Sequence, residues 1–188
     1  LAGVENDHEC STAKEVLDKL RAGLHIYVRE GSGAKNLETL IKTMLDAGVC
    51  LDRCAFCTDD KHVEEIRKEG HISTCIRKAI ALGVPVAKAY KMGSYQAAEF
   101  YGLKNYGAIG AGYRADIVFL DDLEQVRPLD VMKDGRILTE EDYAKDYSVP
   151  VPDELLHTVH VGEVTKEKIR LSCDGKTDVI QNRRLPIS

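Results

Sequence analysis

Residues 11–33 read STAKEVLDKLRAGLHIYVREGSG, and this stretch decides the fold. Thr12 followed three residues later by Glu15 has the spacing of a capping box, Val16, Leu17 and Leu20 fall on one helical face, and Gly23 suits a helix C-terminus. Residues 24–28 then form a short apolar run, the pattern of a buried strand. The run ends in Arg29-Glu30-Gly31-Ser32-Gly33, whose glycines let the backbone turn sharply or approach a ligand. Working outward, residues 36–47 predict a second helix with Leu37, Leu40, Ile41, Met44 and Leu45 on its apolar face and Gly48 as its stop. Residues 54–58 read as the next strand, running directly into Asp59-Asp60. From residue 4 to about 83 the alternation of strand and helix is that of βα units in a parallel sheet.

Beyond that point the pattern changes twice. Residues 62–102 predict three or four short helices punctuated by Gly70, Gly83, Pro85 and Gly93-Ser94. After Gly107, residues 115–120, 126–132 and 135–138 are strand-like, with a turn at Lys133-Asp134-Gly135. Past Asp146, Pro150 and Pro152 mark a linker, residues 155–161 read as a further strand, and a polar tail follows. No internal repeat or low-complexity tract is present.

Composition narrows the function classes. At 188 residues, 44% hydrophobic and 30% charged, the chain can bury one sizeable core, which excludes a disordered protein. It lacks the ~18 uninterrupted apolar residues of a membrane helix, and its first residues do not resemble a signal peptide. Acidic residues (31) outnumber basic ones (26), which are scattered, and the densest basic spot is Arg183-Arg184 in the tail; a nucleic-acid-binding face would be a basic stripe with aromatic partners. Six cysteines suggest free thiols in a reducing cytoplasm. A complete (β/α)8 barrel takes about 250 residues, so any barrel in this sequence is partial. With Leu at residue 1 and residues 1–7 reading like the inside of a fold, the expectation is a fragment.

In parallel α/β folds, ligands gather at the carboxyl ends of the strands. Three such places carry suitable groups: Asp7-His8-Glu9-Cys10, residues 29–32, and Thr58-Asp59-Asp60-Lys61-His62. Imidazole and carboxylate from separate strand ends outline a divalent-metal site and supply a base for activating water. Each piece also has a plainer use. Asp7 can be a helix-entry carboxylate, Asp59-Asp60 can cap a helix starting near Val63, and a strand-end histidine can simply be hydrogen-bonded. His71, behind Gly70, fits either a helix cap or a substrate contact. His25 reads as a packed strand residue, His157 and His160 as strand-flanking surface groups, and Tyr90, Tyr95, Phe100 and Tyr101 as helix packing. Cys50, Cys54 and Cys57 match the C-x3-C-x-aromatic-C spacing of a radical S-adenosylmethionine [4Fe–4S] loop. A strand over 54–57 opposes that reading, because it points Cys54 and Cys57 to opposite faces.

Taken together, DHECST from Asp7, IYVREGSGAKN from Ile26, FCTDDKH from Phe56, EGHI from Glu69 and GAIGAGYRADIVFLDDL from Gly107 resemble the later part of the bacterial adenine deaminase family, within the amidohydrolase superfamily. The likeness runs in order through nearly the whole chain and thins after Asp146. It implies a metal-dependent (β/α)8 barrel, of which residues 1–106 are the C-terminal part, a β-sandwich segment over 107–146, and the start of a C-terminal region over 147–188. It implies hydrolysis of adenine to hypoxanthine and ammonia with a divalent cofactor, manganese, iron or zinc. The family's strand-six histidine falls on His8 and its strand-eight aspartate on Asp59, giving His8 and Asp59 as metal ligands and Asp59 as the proton-transfer group, with Asp60 the second choice. Glu30 and Ser32 become candidate contacts to the purine edge, and Asp60 and His71 are carried as substrate-binding candidates. The remaining family ligands would lie upstream of Leu1, so these 188 residues alone are expected to be inactive and to bind metal weakly. The small-molecule purine is the expected partner, with no nucleic acid or membrane, and the whole protein is compatible with a homo-oligomer. A cyclic-amide hydrolase related to dihydroorotases is the alternative from the same superfamily, and a non-catalytic assembly module the alternative from another class.

Overall fold

The computed structural model describes residues 3–145 and 148–170. The chain divides into two compact units, Leu1–Ala144 and Lys145–Ser188. The first begins with β1 (Asn6–Asp7), α1 (Ala13–Arg21), β2 (His25–Arg29), α2 (Leu37–Asp46) and β3 (Cys54–Cys57), the last entered through a 3-10 turn at Leu51–Arg53. The strands form a parallel sheet in the order β1-β2-β3, with Asn6 opposite His25, Ile26 opposite Cys54 and Arg29 opposite Cys57. All three therefore end on one rim.

Local chemistry fixes the first helix. The Thr12 side chain accepts from the Glu15 N–H, and the Glu15 carboxylate accepts from the Thr12 N–H, completing a capping box. Side-chain alternation along β2 then sorts its residues. Ile26 and Val28 are fully buried with Val16 of α1, Leu37, Leu40, Ile41 and Met44 of α2, and Cys54 and Phe56 of β3. Removing each such side chain from water is worth about 1.5–3 kcal/mol, so this layer holds the sheet to its helices.

Four helices follow: α3 (Val63–Glu69), α4 (Ile72–Ala81), α5 (Val86–Gly93) and α6 (Tyr95–Phe100). Cys75 and Ala79 of α4 and Ala89 and Met92 of α5 complete the buried cluster. Gly107 has φ +81°, and a Cβ there would lie 2.7 Å from Tyr95 Cα and 2.9 Å from Ser94 O, so the chain can cross the α5–α6 junction only with glycine. An antiparallel sheet, β4-β5-β6 (Ile117–Asp122, Arg127–Lys133, Arg136–Ile137), comes next, with α7 (Glu140–Ala144) after it. Asp134 (φ +50°) and Gly135 (φ +80°) make the tight turn between β5 and β6. Register shifts around Leu120 bend β4 where it meets Pro128, which has no N–H to donate. The sheet is tied to the helices by Val126 in the core cluster and by the Tyr90 hydroxyl, which donates to Leu123 O at 2.8 Å.

One expectation fails. Residues 155–161 are not a strand: α8 (Asp153–Leu156) is a single helical turn and the rest is irregular, with Val159 78% exposed. Pro152 enters that turn at φ −57°, and Asp153 and Glu154 complement its N-terminus. Apolar alternation without a neighbouring strand to pair with does not make a sheet. The Arg183-Arg184 tail and Cys173 lie outside the described residues.

Candidate functional site

The shared rim gathers side chains from all three strand ends. His8 and Glu9 follow β1, Arg29 closes β2, and Thr58 and Asp59 follow β3. Asp59 takes φ +46°, a left-handed conformation that aspartate tolerates better than most residues, so the chain turns as soon as the strand ends. One ligand atom each from His8, Glu9 and Asp59 lies within 4.8 Å of the other two, and no other such trio exists among the described residues. His8 Nε2 is 3.1 Å from Glu9 Oε1. One imidazole nitrogen and two carboxylates on a partly exposed rim are a donor set suited to a divalent cation.

Arg29 organises the two carboxylates. Its side chain is only 10% exposed, and Nη1 donates to both Glu9 Oε2 (2.9 Å) and Asp59 Oδ2 (3.0 Å), while Nη2 donates to Asn36 Oδ1 (3.4 Å). Burial opposes the guanidinium charge, but the Asp59 and Glu9 carboxylates outweigh it and raise the pKa. With one oxygen committed to Arg29, Asp59 keeps a fixed orientation and offers Oδ1 to the site.

A cavity of about 390 Å³ opens beside this cluster, lined by His8, Asp59, Thr58, His71, Tyr27 and Tyr101 among others. Thr58 is buried, and its Oγ1 lies 2.6 Å from His71 Nε2, which pins the ring to the cavity wall. Four kinds of group thus face one space: imidazoles, a carboxylate, a hydroxyl and phenols.

The structure brings together His8, Asp59 and His71 and sets the other candidates apart. Glu30 is 4% exposed and accepts from Lys78 Nζ at 2.6 Å; it lines a separate cavity with Lys35 and Leu37. Strand alternation is the cause, because Glu30 follows Arg29 and points to the other side. Ser32 is likewise taken up, donating to the Glu65 carboxylate and accepting from the His62 N–H. Asp60 accepts from the Ser32 and Gly33 N–H groups at 3.1 and 2.8 Å, which lowers its pKa and locks the loop after β2 to the loop after β3. Neither Glu30, Ser32 nor Asp60 lines this cavity. Asp7 has its plainer role, accepting from Glu9 N, Cys10 N and Lys19 Nζ at the entry to α1.

The cysteine spacing does not produce a cluster. Cys50 is exposed, Cys54 is buried against Met44, and Cys57 lies on the opposite strand face, lining the cavity. Burial pushes the Cys54 thiol up to about 12 and the Cys57 thiol to about 11, the reverse of what thiolate ligands need. Of the residues gathered here, Glu9 and Arg29 were read from the sequence only as members of strand-end groups, without a role of their own, and Tyr27 was not read as a site residue. Alternation along residues 25–29 could have found Arg29 and Tyr27, since it places them on one face. The aromatic residues also differ from expectation in part, with Phe100 stacked on His25 at 3.8 Å and Tyr101 68% exposed at the cavity rather than packed between helices.

Parallel strands ending in a common rim of nitrogen and oxygen donors define an α/β protein whose strand ends carry a donor set of the kind that can hold a divalent cation. The chain belongs to the amidohydrolase family, whose sequence profile matches residues 2–138. Amidohydrolases generally use a divalent metal. It is 39% identical over 182 residues to an adenine deaminase of Desulfitobacterium hafniense, covering 96% of this chain and 32% of that protein. Similar proteins include an adenine deaminase of Clostridium acetobutylicum (40% over 181 residues, 95% of this chain and 31% of that protein) and one of Gluconobacter oxydans (45% over 139 residues, 74% and 24%). The chain thus spans about a third of the length of the first two. Among solved structures, the β-aspartyl dipeptidase of Fervidobacterium islandicum AW-1 superposes with a TM-score of 0.55 at 18% identity, over 73% of this chain and 39% of that one, a likeness of fold. Among the described residues, no helix is long and apolar enough to cross a membrane.

Proposed function

We propose that this chain forms part of a metal-dependent adenine deaminase, which hydrolyses adenine to hypoxanthine and ammonia. The observation that carries the reading is the convergence of His8, Glu9 and Asp59 at the strand ends of a chain whose sequence follows adenine deaminases along nearly its whole length. In this reading the three parallel strands belong to a (β/α)8 barrel, residues 107–146 belong to a small β-sandwich, and 147–188 begin a further region.

His8 and Asp59 would hold the cation, manganese, iron or zinc, and Glu9 stands close enough to join them. A bound divalent cation lowers the pKa of water toward neutrality and so supplies a nucleophile. Asp59, fixed through Oδ2 by Arg29, takes the proton of the attacking water on Oδ1 and delivers it to the ring nitrogen or the departing amine. His71, held by Thr58 at the cavity wall, would contact the purine ring. The purine is a small-molecule partner of a size the cavity accepts.

The test is ammonia release from adenine by the protein expressed from its complete coding sequence with manganese added. Turnover that Asp59→Asn reduces by several orders of magnitude supports the assignment. Ring opening of a dihydropyrimidine or hydantoin, with adenine untouched, replaces it with the cyclic-amide reading. Unchanged adenine turnover in Asp59→Asn removes Asp59 from catalysis.

A further inference from the structure

Tyr27 occupies the middle of β2, on the face it shares with Arg29, and lines the cavity beside Asp59. The residue is 5% exposed, yet among the described residues its Oη closes no hydrogen bond of normal geometry, although the Tyr101 phenol stands beside it. That is unusual, because native folds leave few buried polar groups unpaired and each such group bears its full desolvation cost. The ring itself is well seated. Phe100 meets it edge-on at 5.8 Å, Tyr101 lies tilted at 5.7 Å, and Ala55, directly opposite on β3, leaves it room. Packing therefore explains an aromatic ring at this position and does not explain the hydroxyl. Phenylalanine would fill the same space without the desolvation cost.

A buried polar atom that closes no hydrogen bond of normal geometry, held rigidly at the wall of the candidate site, is a group waiting for a ligand atom. Burial first, and the neighbouring Tyr101 phenol second, raise the Tyr27 pKa, so the hydroxyl keeps its proton and can act as a donor. We propose that Tyr27 is a substrate-binding residue whose Oη donates a hydrogen bond to a ring nitrogen of the heteroaromatic substrate in the cavity. This rests on the adenine reading above and adds to it a specificity element. A site built around a buried donor discriminates against a ring that lacks the matching acceptor, because binding such a ring leaves the donor unpaired and dry. Asp59 and His8 thus act on the carbon that loses its amine, while Tyr27 reads a nitrogen elsewhere on the ring.

Tyr27→Phe tests this in the protein expressed from its complete coding sequence. The expected result is a KM for adenine raised at least tenfold, kcat within about threefold, unchanged metal content and a melting temperature without substrate that is equal or higher. The last point separates binding from structure, since removing a hydroxyl that closes no hydrogen bond of normal geometry takes no such bond from the fold. In the unsubstituted protein, one of the adenine analogues in which a single ring nitrogen is replaced by C–H should bind at least tenfold more weakly than adenine. That same analogue should lose nothing further in Tyr27→Phe. An unchanged KM in the variant overturns the role of Tyr27 while leaving adenine turnover standing. A melting temperature lowered by several degrees also overturns it, by showing that the hydroxyl is structural. Absence of adenine turnover in the unsubstituted protein is the distinct outcome that removes the substrate reading and this inference with it.

Discussion

Arg29→Met isolates the grip that orients Asp59. Methionine keeps the aliphatic stem that packs at the end of β2 and removes the charge and the donors. Two charge-assisted bonds to carboxylates disappear, to Glu9 at 2.9 Å and to Asp59 at 3.0 Å, together with the longer bond to Asn36 Oδ1 at 3.4 Å. A hydrogen bond to a charged group contributes ~1.5–3 kcal/mol when its surroundings are dry. Here the acceptors are 63% and 40% exposed, so water screens much of that, and a pair of this kind moves toward the ~0–1 kcal/mol of surface bridges. Because the arginine side of both bonds is buried, about 2 kcal/mol in total is a reasonable sum. In a domain of 150–250 residues that lowers Tm by about 4–8 °C. The effect on rate should be larger than the effect on stability. Freed from Nη1, the Asp59 carboxylate can rotate, and a displacement of ~1 Å at a reacting group costs on the order of a hundredfold. Thermal unfolding followed by circular dichroism gives the first quantity, and steady-state kinetics on the protein from its complete coding sequence gives the second. A melting temperature and kcat both indistinguishable from the unsubstituted protein would refute the idea that Arg29 positions Asp59.

Further outcomes follow from single contacts. The Glu15 carboxyl is held down to about 2, chiefly by the Ser11 N–H and then by the Thr12 side chain, against an ordinary value of 4.5. Its folded pKa is depressed, so its contribution is complete above pH 4.5 and disappears as pH falls toward 2; Glu15→Gln should flatten the stability profile in that window, read as Tm against pH. Leu40→Ala opens a cavity in a fully buried layer, with an expected loss of about 3 kcal/mol and a Tm lower by about 6–12 °C. A Cβ on Gly31 would fall 1.9 Å from Asp60 Oδ1 and 2.9 Å from Thr58 O, so Gly31→Ala should push Asp60 off the loop it holds. Faster amide exchange at Ser32 and Gly33 is the expected signature, and unchanged exchange would show that the two loops do not depend on this lock.

What could be read in advance divides along the range of the interactions. The capping box at Thr12 and Glu15, the apolar face of residues 37–45 and the turn at Asp134-Gly135 are set by neighbours within a few residues, and each appears as the pattern predicts. His8 and Asp59 were legible as strand-end groups of suitable chemistry. The Arg29 contacts were not, because they join residues 20 and 30 positions apart, and no local pattern records which carboxylates an arginine will reach. Residues 155–161 show the opposite failure: they have a strand's alternation, but a strand needs a partner edge, and none forms among the described residues of that unit.

Glu30 is the most instructive difference, because the information to place it was local. In β2 the residues alternate between two faces, and the fully buried Ile26 and Val28 identify the face packed on the helices. Tyr27 and Arg29 must then share the other face, where β3 offers Ala55 and Cys57 opposite them. A one-residue slip of register would exchange the two sets, burying an arginine among the helices and aiming isoleucine and valine at the cavity, so the apolar core fixes the chemistry of the site as firmly as it fixes the sheet. The same parity sends Glu30 away from Asp59 to Lys78, with which it forms a part-buried ion pair. The cavity face of β2 is therefore the pair Arg29 and Tyr27, the first bonded to the Asp59 carboxylate proposed to move protons and the second presenting at the cavity wall the hydroxyl proposed to meet the substrate.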